Sequence, residues 1–157
     1  MSDVDLLIDS TKKNIVRNVK LGVEETTRNA STIAKQNTKV RSGALTNSIK
    51  ISKDYSTNKF VGKVFVSLDL LPYAKFVHFG TGRHSLMSDS KRLDYWYTKT
   101  SNFPDYENYG LTPIKAQDGN MIVKVTPQVA TPFMYIAYDS VKDSFRSNII
   151  RYMNANK

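Results

Sequence analysis

The fold class is decided by residues 42–67, SGALTNSIKISKDYSTNKFVGKVFVS, where the spacing of the apolar residues changes. Before this stretch, apolar residues recur about every 3.6 positions, which is typical of an amphipathic helix. Within it, Ile49 and Ile51 alternate with polar residues, and residues 60–67 form a β-branched and aromatic run typical of a strand. Residues 54–59, DYSTNK, favour a turn, because Asp, Ser and Asn side chains bond their own backbone. The stretch predicts a β-hairpin that follows a helix.

The residues before this stretch predict one long helix over residues 1–38, with Ser2 or Asp3 able to cap its first turn. The face that we expect to be buried carries seven apolar residues at near-helical spacing: Val4, Ile8, Ile15, Val19, Val23, Ala30 and Ile33. At about 1.5 Å per residue the helix would reach about 50 Å, more than a small domain needs for its own core. We therefore expect it to contribute to a subunit interface. Gly22 is the candidate position for a kink.

Helical spacing returns over residues 131–154, with Thr131 as N-cap and Pro132 at the first helical position. The apolar face of this helix carries Tyr138, Val141, Phe145 and Ile149. Residues 83–128 form an extended loop with a second hairpin, whose strands are DYWYTK (94–99) and MIVKV (121–125). Residues 44–82 hold the first hairpin and a short helix. The sequence thus predicts one α+β domain over residues 1–157. It has a long N-terminal helix, a small mainly antiparallel sheet with a projecting hairpin loop, and a C-terminal helix packed on the sheet.

The composition excludes several classes of protein. The chain has no cysteine, so disulfides, thiolate metal sites and a cysteine nucleophile are excluded. No apolar run approaches the roughly 18 residues that span a bilayer, and the opening MSDVDLLIDS is acidic, unlike a signal peptide. We expect a protein of the cytoplasm with no membrane partner.

The net charge of +9 suggests an anionic partner. Seven cations stand between Ala34 and Lys63, opposed only by Asp54: Lys35, Lys39, Arg41, Lys50, Lys53, Lys59 and Lys63. They form either a solvated face or a surface that contacts DNA or an acidic protein. No aromatic series is interleaved with them, as single-strand binding would require.

Residues 72–84, PYAKFVHFGTGRH, could be a catalytic loop, a phosphate cradle or architecture. Neither the Walker loop nor the dinucleotide fingerprint matches the Gly80-Thr81-Gly82 turn. His78 and His84 have no zinc spacing, and Ser85 beside His84 has no positioned acid. The sequence therefore predicts no catalytic residue, no metal ligand and no cofactor.

The architectural interpretation assigns each residue a packing role. We expect Tyr73, Phe76, Val77 and Phe79 to form one helical turn with three apolar residues facing inward, after Pro72 has ended the strand. Gly80 and Gly82 then allow a sharp reversal. Gly43 is expected to have a positive φ, and Leu45 to anchor the following turn in the core.

Three motifs carry a resemblance to a known family. RSGALTNSI (41–49) resembles Thr-Gly-x-Leu-x-x-Ser-Ile, YAKFVHFGTG (73–82) resembles Tyr-Ala-x-x-Val-Glu-Phe-Gly-Thr, and TPFMYIA (131–137) resembles the Pro-Phe-Leu-x-Pro-Ala start of a final helix. In this order they resemble the head–tail joining, or tail-completion, proteins of long-tailed bacteriophages. The motif positions carried over are Gly43, Leu45, Tyr73, Ala74, Phe79, Gly80, Thr81, Gly82, Pro132 and Phe133. Ser42, His78 and Ile136 stand where the family has Thr, Glu and Pro.

The resemblance implies a structural protein of the virion neck, assembled in the host cytoplasm, with no enzymatic activity. It implies a homo-oligomeric ring that completes the tail and joins it to the DNA-filled head. The implied partners are further copies of the chain, other neck, head-completion and tail-tube proteins, and genomic DNA passing through the ring. A basic nucleic-acid-binding module is the alternative, and a phage-encoded hydrolase or nuclease is a third interpretation.

Residues 85–128, the aromatic segment, are the predicted contact with partner proteins. The segment is too long for an idle connection, and its positive and negative charges nearly balance. Its aromatic residues, a class enriched at protein interfaces, are Tyr95, Trp96, Tyr97, Phe103, Tyr106 and Tyr109. The alternative is that these rings fold back into a minor core.

Overall fold

The structure, a computed structural model, describes residues 3–38, 43–56, 59–71, 73–88, 93–102 and 106–155, without the side chains of Asn108 and Tyr109. The chain divides into two compact units, of which the first combines Met1–Ala74 with Pro132–Lys157 and the second is Lys75–Thr131. The single domain over residues 1–157 stays a prediction. The expectations placed on Ser2, Ser42 and Pro72 lie outside the described residues.

The predicted α+β class is confirmed. In chain order the elements are α1 (Asp3–Gln36), α2 (Ala44–Ser48), β1 (Lys50–Ser56), β2 (Lys59–Phe65), α3 (Ala74–Phe79), β3 (Trp96–Lys99), β4 (Ile114–Lys115), β5 (Met121–Val125), α4 (Phe133–Lys142) and α5 (Ser144–Ala155). Three short 3₁₀ turns lie at Gly82–His84, Thr100–Asn102 and Tyr106–Tyr109. The described strands form two antiparallel sheets, β1-β2 and β3-β5-β4, and each contains one of the two predicted hairpins.

The first unit is built around α1, which contacts β1, β2, α4 and α5. Two glycines let neighbouring elements approach this helix closely. A Cβ at Gly22 of α1 would lie 2.6 Å from Ile149 Cγ1 on α5, and a Cβ at Gly62 of β2 would lie 1.8 Å from Thr27 Oγ1 on α1. The helix continues through Gly22 as one element, and this glycine allows a close helix–helix contact; the kink stays a prediction.

The core of the first unit joins apolar residues from both ends of the chain. Leu45 and Ile49 follow α1, and Phe133 and Ala137 come from α4; all four side chains are buried. Gly43, the N-cap of α2, has φ 69°, as its place before Leu45 predicted. The first and third sequence motifs therefore contribute to the core of the same unit.

The β1-β2 hairpin is confirmed, but its strands are longer than the sequence suggested. Lys50 pairs with Phe65 at one end, and Ser56 pairs with Lys59 at the other. Most of the predicted DYSTNK turn therefore belongs to the strands. The Tyr55–Phe60 cross-strand pair, with ring centroids 6.2 Å apart, extends the ladder into this region.

The predicted single C-terminal helix is wrong, because the structure has two helices separated at Asp143. Asp143 keeps a helical φ of −81° and ψ of −24°, so hydrogen bonding is interrupted where the dihedral angles remain helical. At this break the Ser144 hydroxyl donates to the Val141 carbonyl at 3.0 Å. Pro132 is the N-cap and α4 begins at Phe133, one residue later than predicted.

In the second unit, the predicted hairpin is confirmed by the pairing of Trp96 with Val125 and of Lys99 with Ile122. β4 adds a short third strand on the other edge of β5. Helix α3 begins at Ala74, the last residue of this part of the first unit, and continues into the second unit. Of the four residues expected to place three apolar side chains inward, Val77 is buried, but Tyr73, Phe76 and Phe79 are exposed, so the expectation of three inward residues is wrong. Ala74 is the other buried residue of α3. Positions three apart share a helix face, so burying Ala74 with Val77 turns the Phe76 and Phe79 rings outward.

Candidate assembly surfaces

The Gly80-Thr81-Gly82 turn is a backbone clasp in the second unit. The Thr81 amide donates to the Gln128 carbonyl at 2.9 Å, and the Thr81 hydroxyl accepts from the Gln128 amide at 2.8 Å. Gly80 and Gly82 have φ values of 74° and 52°, as the predicted reversal requires. A Cβ at Gly80 would lie 2.6 Å from the His84 carbonyl and 2.8 Å from the Ala130 amide. The turn thus holds residues 128–130 beside it.

This clasp is poorly suited to cradle a phosphate. The amides of Gly80, Thr81, Arg83 and His84 all donate to backbone carbonyls. An anion-binding loop needs amide groups that point at the ligand. For residues 73–84, which the structure describes, the geometry therefore supports the architectural interpretation.

The reactive side chains near the clasp have structural partners. Ser85 is buried, and its hydroxyl accepts from the Met87 amide at 3.1 Å. His84 Nε2 accepts from Arg83 Nε at 3.3 Å, and the Arg83 guanidinium pairs with Asp94 at 3.2 Å. Over the described residues, no group of three or more His, Asp or Glu could hold a metal ion.

His78 occupies the position where the resembled family has Glu. Its ring meets the Phe79 ring edge-on, with centroids 4.5 Å apart. Burial lowers the pKa of His78 below its ordinary value of 6.5, which favours the neutral imidazole at pH 7. A neutral ring here cannot supply the negative charge of the family's Glu.

The aromatic segment divides into exposed and half-buried rings. Tyr95 and Tyr97 are exposed and meet edge-on with centroids 5.9 Å apart, and the Lys124 ammonium lies 4.0 Å from the Tyr95 ring centroid. Trp96 is half-buried, as is Tyr106. Alternation along β3 places Trp96 on the opposite face from Tyr97. Phe103 and the Tyr109 side chain lie outside the described part of the chain.

The cations predicted as one basic set do not all lie on the same face of the β1-β2 hairpin. Lys50, Lys59 and Lys63 are exposed, and the strand register places them on one face of β1-β2. Lys53 lies on the other face and pairs with Glu24 of α1 at 3.0 Å. Lys35 is exposed in the last turn of α1, whereas Lys39 and Arg41 lie outside the described residues.

A second basic surface, which the sequence analysis did not single out, lies on α1. It carries Lys12, Lys13, Arg17 and Lys20 around Val16. Successive cations in this set are one, four and three residues apart. This spacing could have identified the surface from the sequence, because residues three and four apart share a helix face. Lys20 also lies 5.8 Å from the ring centroids of both Tyr55 and Phe60.

The first half of α1 is exposed, contrary to the predicted buried stripe. Residues 3–17, which we call the α1 arm, contain no buried residue. Its apolar side, the arm stripe, follows 3.6-residue spacing and consists of Val4, Leu7, Ile8, Thr11 and Ile15. The spacing continues to Asn18 and Gly22, which are buried. The stripe is therefore an uncovered continuation of a packed helix face.

An apolar groove lies beside α1 in the same unit, with a cavity volume of about 390 Å³. Its walls come from the second half of α1, from β2 and from the C-terminal helices: Val23, Thr26, Thr27, Ala30, Phe60, Val61, Gly62, Val64, Met134, Ala137, Tyr138, Val141 and Phe145. Tyr138 and Phe145, which the sequence placed on the packed face, are exposed. They form part of the groove's rim.

Comparisons of the chain with protein-family models, with curated protein sequences and with solved structures find no match. No helix among the described residues is long and apolar enough to cross a membrane. Apolar, aromatic and cationic side chains are exposed on the described surfaces.

Proposed function

We propose that this chain is a structural protein of the neck of a tailed bacteriophage, where copies form a ring that completes the tail and joins it to the head. The observation that carries the proposal is the placement of the three motifs that resemble head–tail joining proteins. Leu45 and Phe133 are core residues, and Gly43 and Gly80 have positive φ values. A resemblance at residues that determine packing supports a shared fold more strongly than one at surface residues.

The exposed apolar surface supports the homo-oligomer. Val4, Leu7 and Ile8 are exposed on the α1 arm, and Tyr138 and Phe145 are exposed at the groove. Soluble monomers rarely expose large contiguous apolar patches, and such patches mark sites of association. In the second unit, Tyr95 and Tyr97 offer a further exposed surface for other neck or tail proteins.

Electron microscopy of phage particles tests the assignment. A gold-labelled tag on the chain should be found at the junction between head and tail. Particles assembled without the chain should accumulate as separate filled heads and tails. Label on the capsid shell or the tail tip, or normal particles in its absence, would contradict the neck assignment.

A basic nucleic-acid-binding module is the second candidate, favoured by the exposed face of Lys50, Lys59 and Lys63. Binding through phosphate contacts loses affinity steeply as salt rises. Titration of labelled duplex DNA at several salt concentrations separates the candidates. A neck ring should bind short duplex weakly, whereas a binding module should bind as a monomer or dimer with a steep salt dependence that Lys63→Gln reduces.

A further inference from the structure

We infer that the apolar groove of one copy of the chain receives the α1 arm of a second copy. The inference rests on the proposed homo-oligomeric ring and names the two surfaces that join its subunits. The arm stripe and the groove both belong to the first unit, and both leave apolar side chains exposed. Burying one against the other removes both from water.

The length of the groove suits two turns of a helix laid over it. Its α1 wall runs from Val23 to Ala30, about 12 Å at about 1.5 Å per residue, and its opposite wall runs from Met134 to Phe145. The arm is about 22 Å long by the same rise. Two turns of the arm can therefore lie along the groove with their apolar side chains inserted, and one turn or more is left outside. An amphipathic helix laid into an apolar groove is a recurring mode of recognition.

The arm cannot occupy the groove of its own chain. Residues 3–17 and the groove residues Val23 to Ala30 belong to the same uninterrupted helix. For the arm to fold back, α1 would have to break near Gly22, where Ile149 packs on it. A second copy supplies the same helix without breaking it.

Charge complements the apolar contact. The first turn of the arm carries Asp3 and Asp5. Arg146, an exposed cation, follows the groove residue Phe145 on α5. These opposite charges favour insertion of the arm by its N-terminal end.

The contact is head-to-tail, because arm and groove are different surfaces. Each inserted copy still presents its own arm or groove to the next. Heterologous contacts of this kind generate rings when the rotation closes. A symmetric pairing of two arms would instead stop at a dimer.

Two pairs of matched variants in the full chain test the inference by mass measurement in solution. Leu7 on the arm stripe and Leu6 off it are 67% and 54% exposed, and Tyr138 at the groove and Tyr135 outside it are 63% and 62% exposed. At concentrations where the wild type assembles, Leu7→Asp and Tyr138→Asp should be monomeric. Leu6→Asp and Tyr135→Asp should assemble as the wild type does.

Mixing the two disrupted variants is the decisive step. The intact arm of Tyr138→Asp should enter the intact groove of Leu7→Asp, so an equimolar mixture should form heterodimers and nothing larger. Heterodimer formation also shows that both variants are folded. A mixture that stays monomeric, or a Tyr138→Asp variant that assembles alone, overturns the inference. If the wild type forms a ring in those cases, the ring proposal stands; a wild type that is monomeric throughout contradicts both.

Discussion

The two halves of α1 have the same sequence pattern and opposite surroundings. Residues 18–36 pack against β2, α4 and α5 and contain every buried residue of the helix. Residues 3–17 contain none, although their apolar stripe continues the same spacing. Val23 is 5% exposed, whereas Ile8 is 48% exposed. Helical periodicity therefore identifies the apolar face, and the length of the neighbouring elements decides how much of that face the subunit covers.

We expect the largest loss of stability from a substitution at Gly62, where β2 lies closest to the packed half of α1. Gly62→Ala would place a Cβ 1.8 Å from Thr27 Oγ1 and 2.9 Å from Thr27 Cβ, so β2 or α1 must shift. We expect the free energy of unfolding, measured by urea denaturation, to fall by about 3 kcal/mol, as in overpacked cores. Thr27→Ala removes the hydroxyl, so the double variant with Gly62→Ala and Thr27→Ala should recover part of the lost free energy of unfolding. An unchanged denaturation midpoint for Gly62→Ala would contradict the close packing of the hairpin on α1.

Two substitutions that shorten an apolar side chain, one in each half of α1, compare the two halves directly. Val23→Ala removes buried methyl groups and should lower the free energy of unfolding by about 2 kcal/mol. Ile8→Ala removes more atoms from the arm, but it should change that free energy by less than about 0.5 kcal/mol under monomeric conditions. Equal losses for both variants would show that the arm packs on its own subunit.

Lowering the pH should destabilise the contacts of the packed half of α1 before it affects the arm. Hydrogen bonding to Lys53 lowers the pKa of Glu24, and hydrogen bonding to Arg151 lowers the pKa of Glu25, both below the ordinary value of 4.5. Depressed carboxyl pKa values stabilise the fold above pH 4.5, and this stabilisation is lost as the pH falls through the depressed values. Thermal melting should show this loss, and Glu25→Gln should reduce it.

The arm provides the control for the acid experiment. The pKa of Asp9 is also lowered, by Lys13, but this ion pair lies within the exposed arm. Asp9→Asn should leave the acid-dependent shift in melting temperature as it is in the wild type. If Asp9→Asn and Glu25→Gln reduce the acid-dependent shift in melting temperature equally, the ion pairs of the packed half stabilise the fold no more than the ion pair of the arm does.

Local patterns predicted the elements and the special backbone positions. The apolar spacing of α1, the alternation in β1 and the positive φ values at Gly43, Gly80 and Gly82 all follow from short-range sequence. The break at Asp143 did not, because residues 133–155 contain no Gly or Pro and their dihedral angles at Asp143 remain helical.

The surfaces depended on tertiary contacts and were harder to predict. The outward rings of α3 could not be placed, because Ala74 and Val77 offer a face as consistent with helical spacing as Phe76 and Phe79. The groove was not visible either, since Thr27 and Tyr138 come from elements more than a hundred residues apart in sequence. The excess length of α1 was the sequence feature that pointed to an interface between subunits.

The mass of the wild-type protein in solution tests the central claim most directly. One subunit has a mass of 17.8 kDa. Sedimentation equilibrium or light scattering over a wide concentration range should show monomers converting to one closed assembly, at a fixed multiple of this mass larger than a dimer. A single species of one subunit mass at every concentration would contradict the ring, and so would a dimer that grows no further.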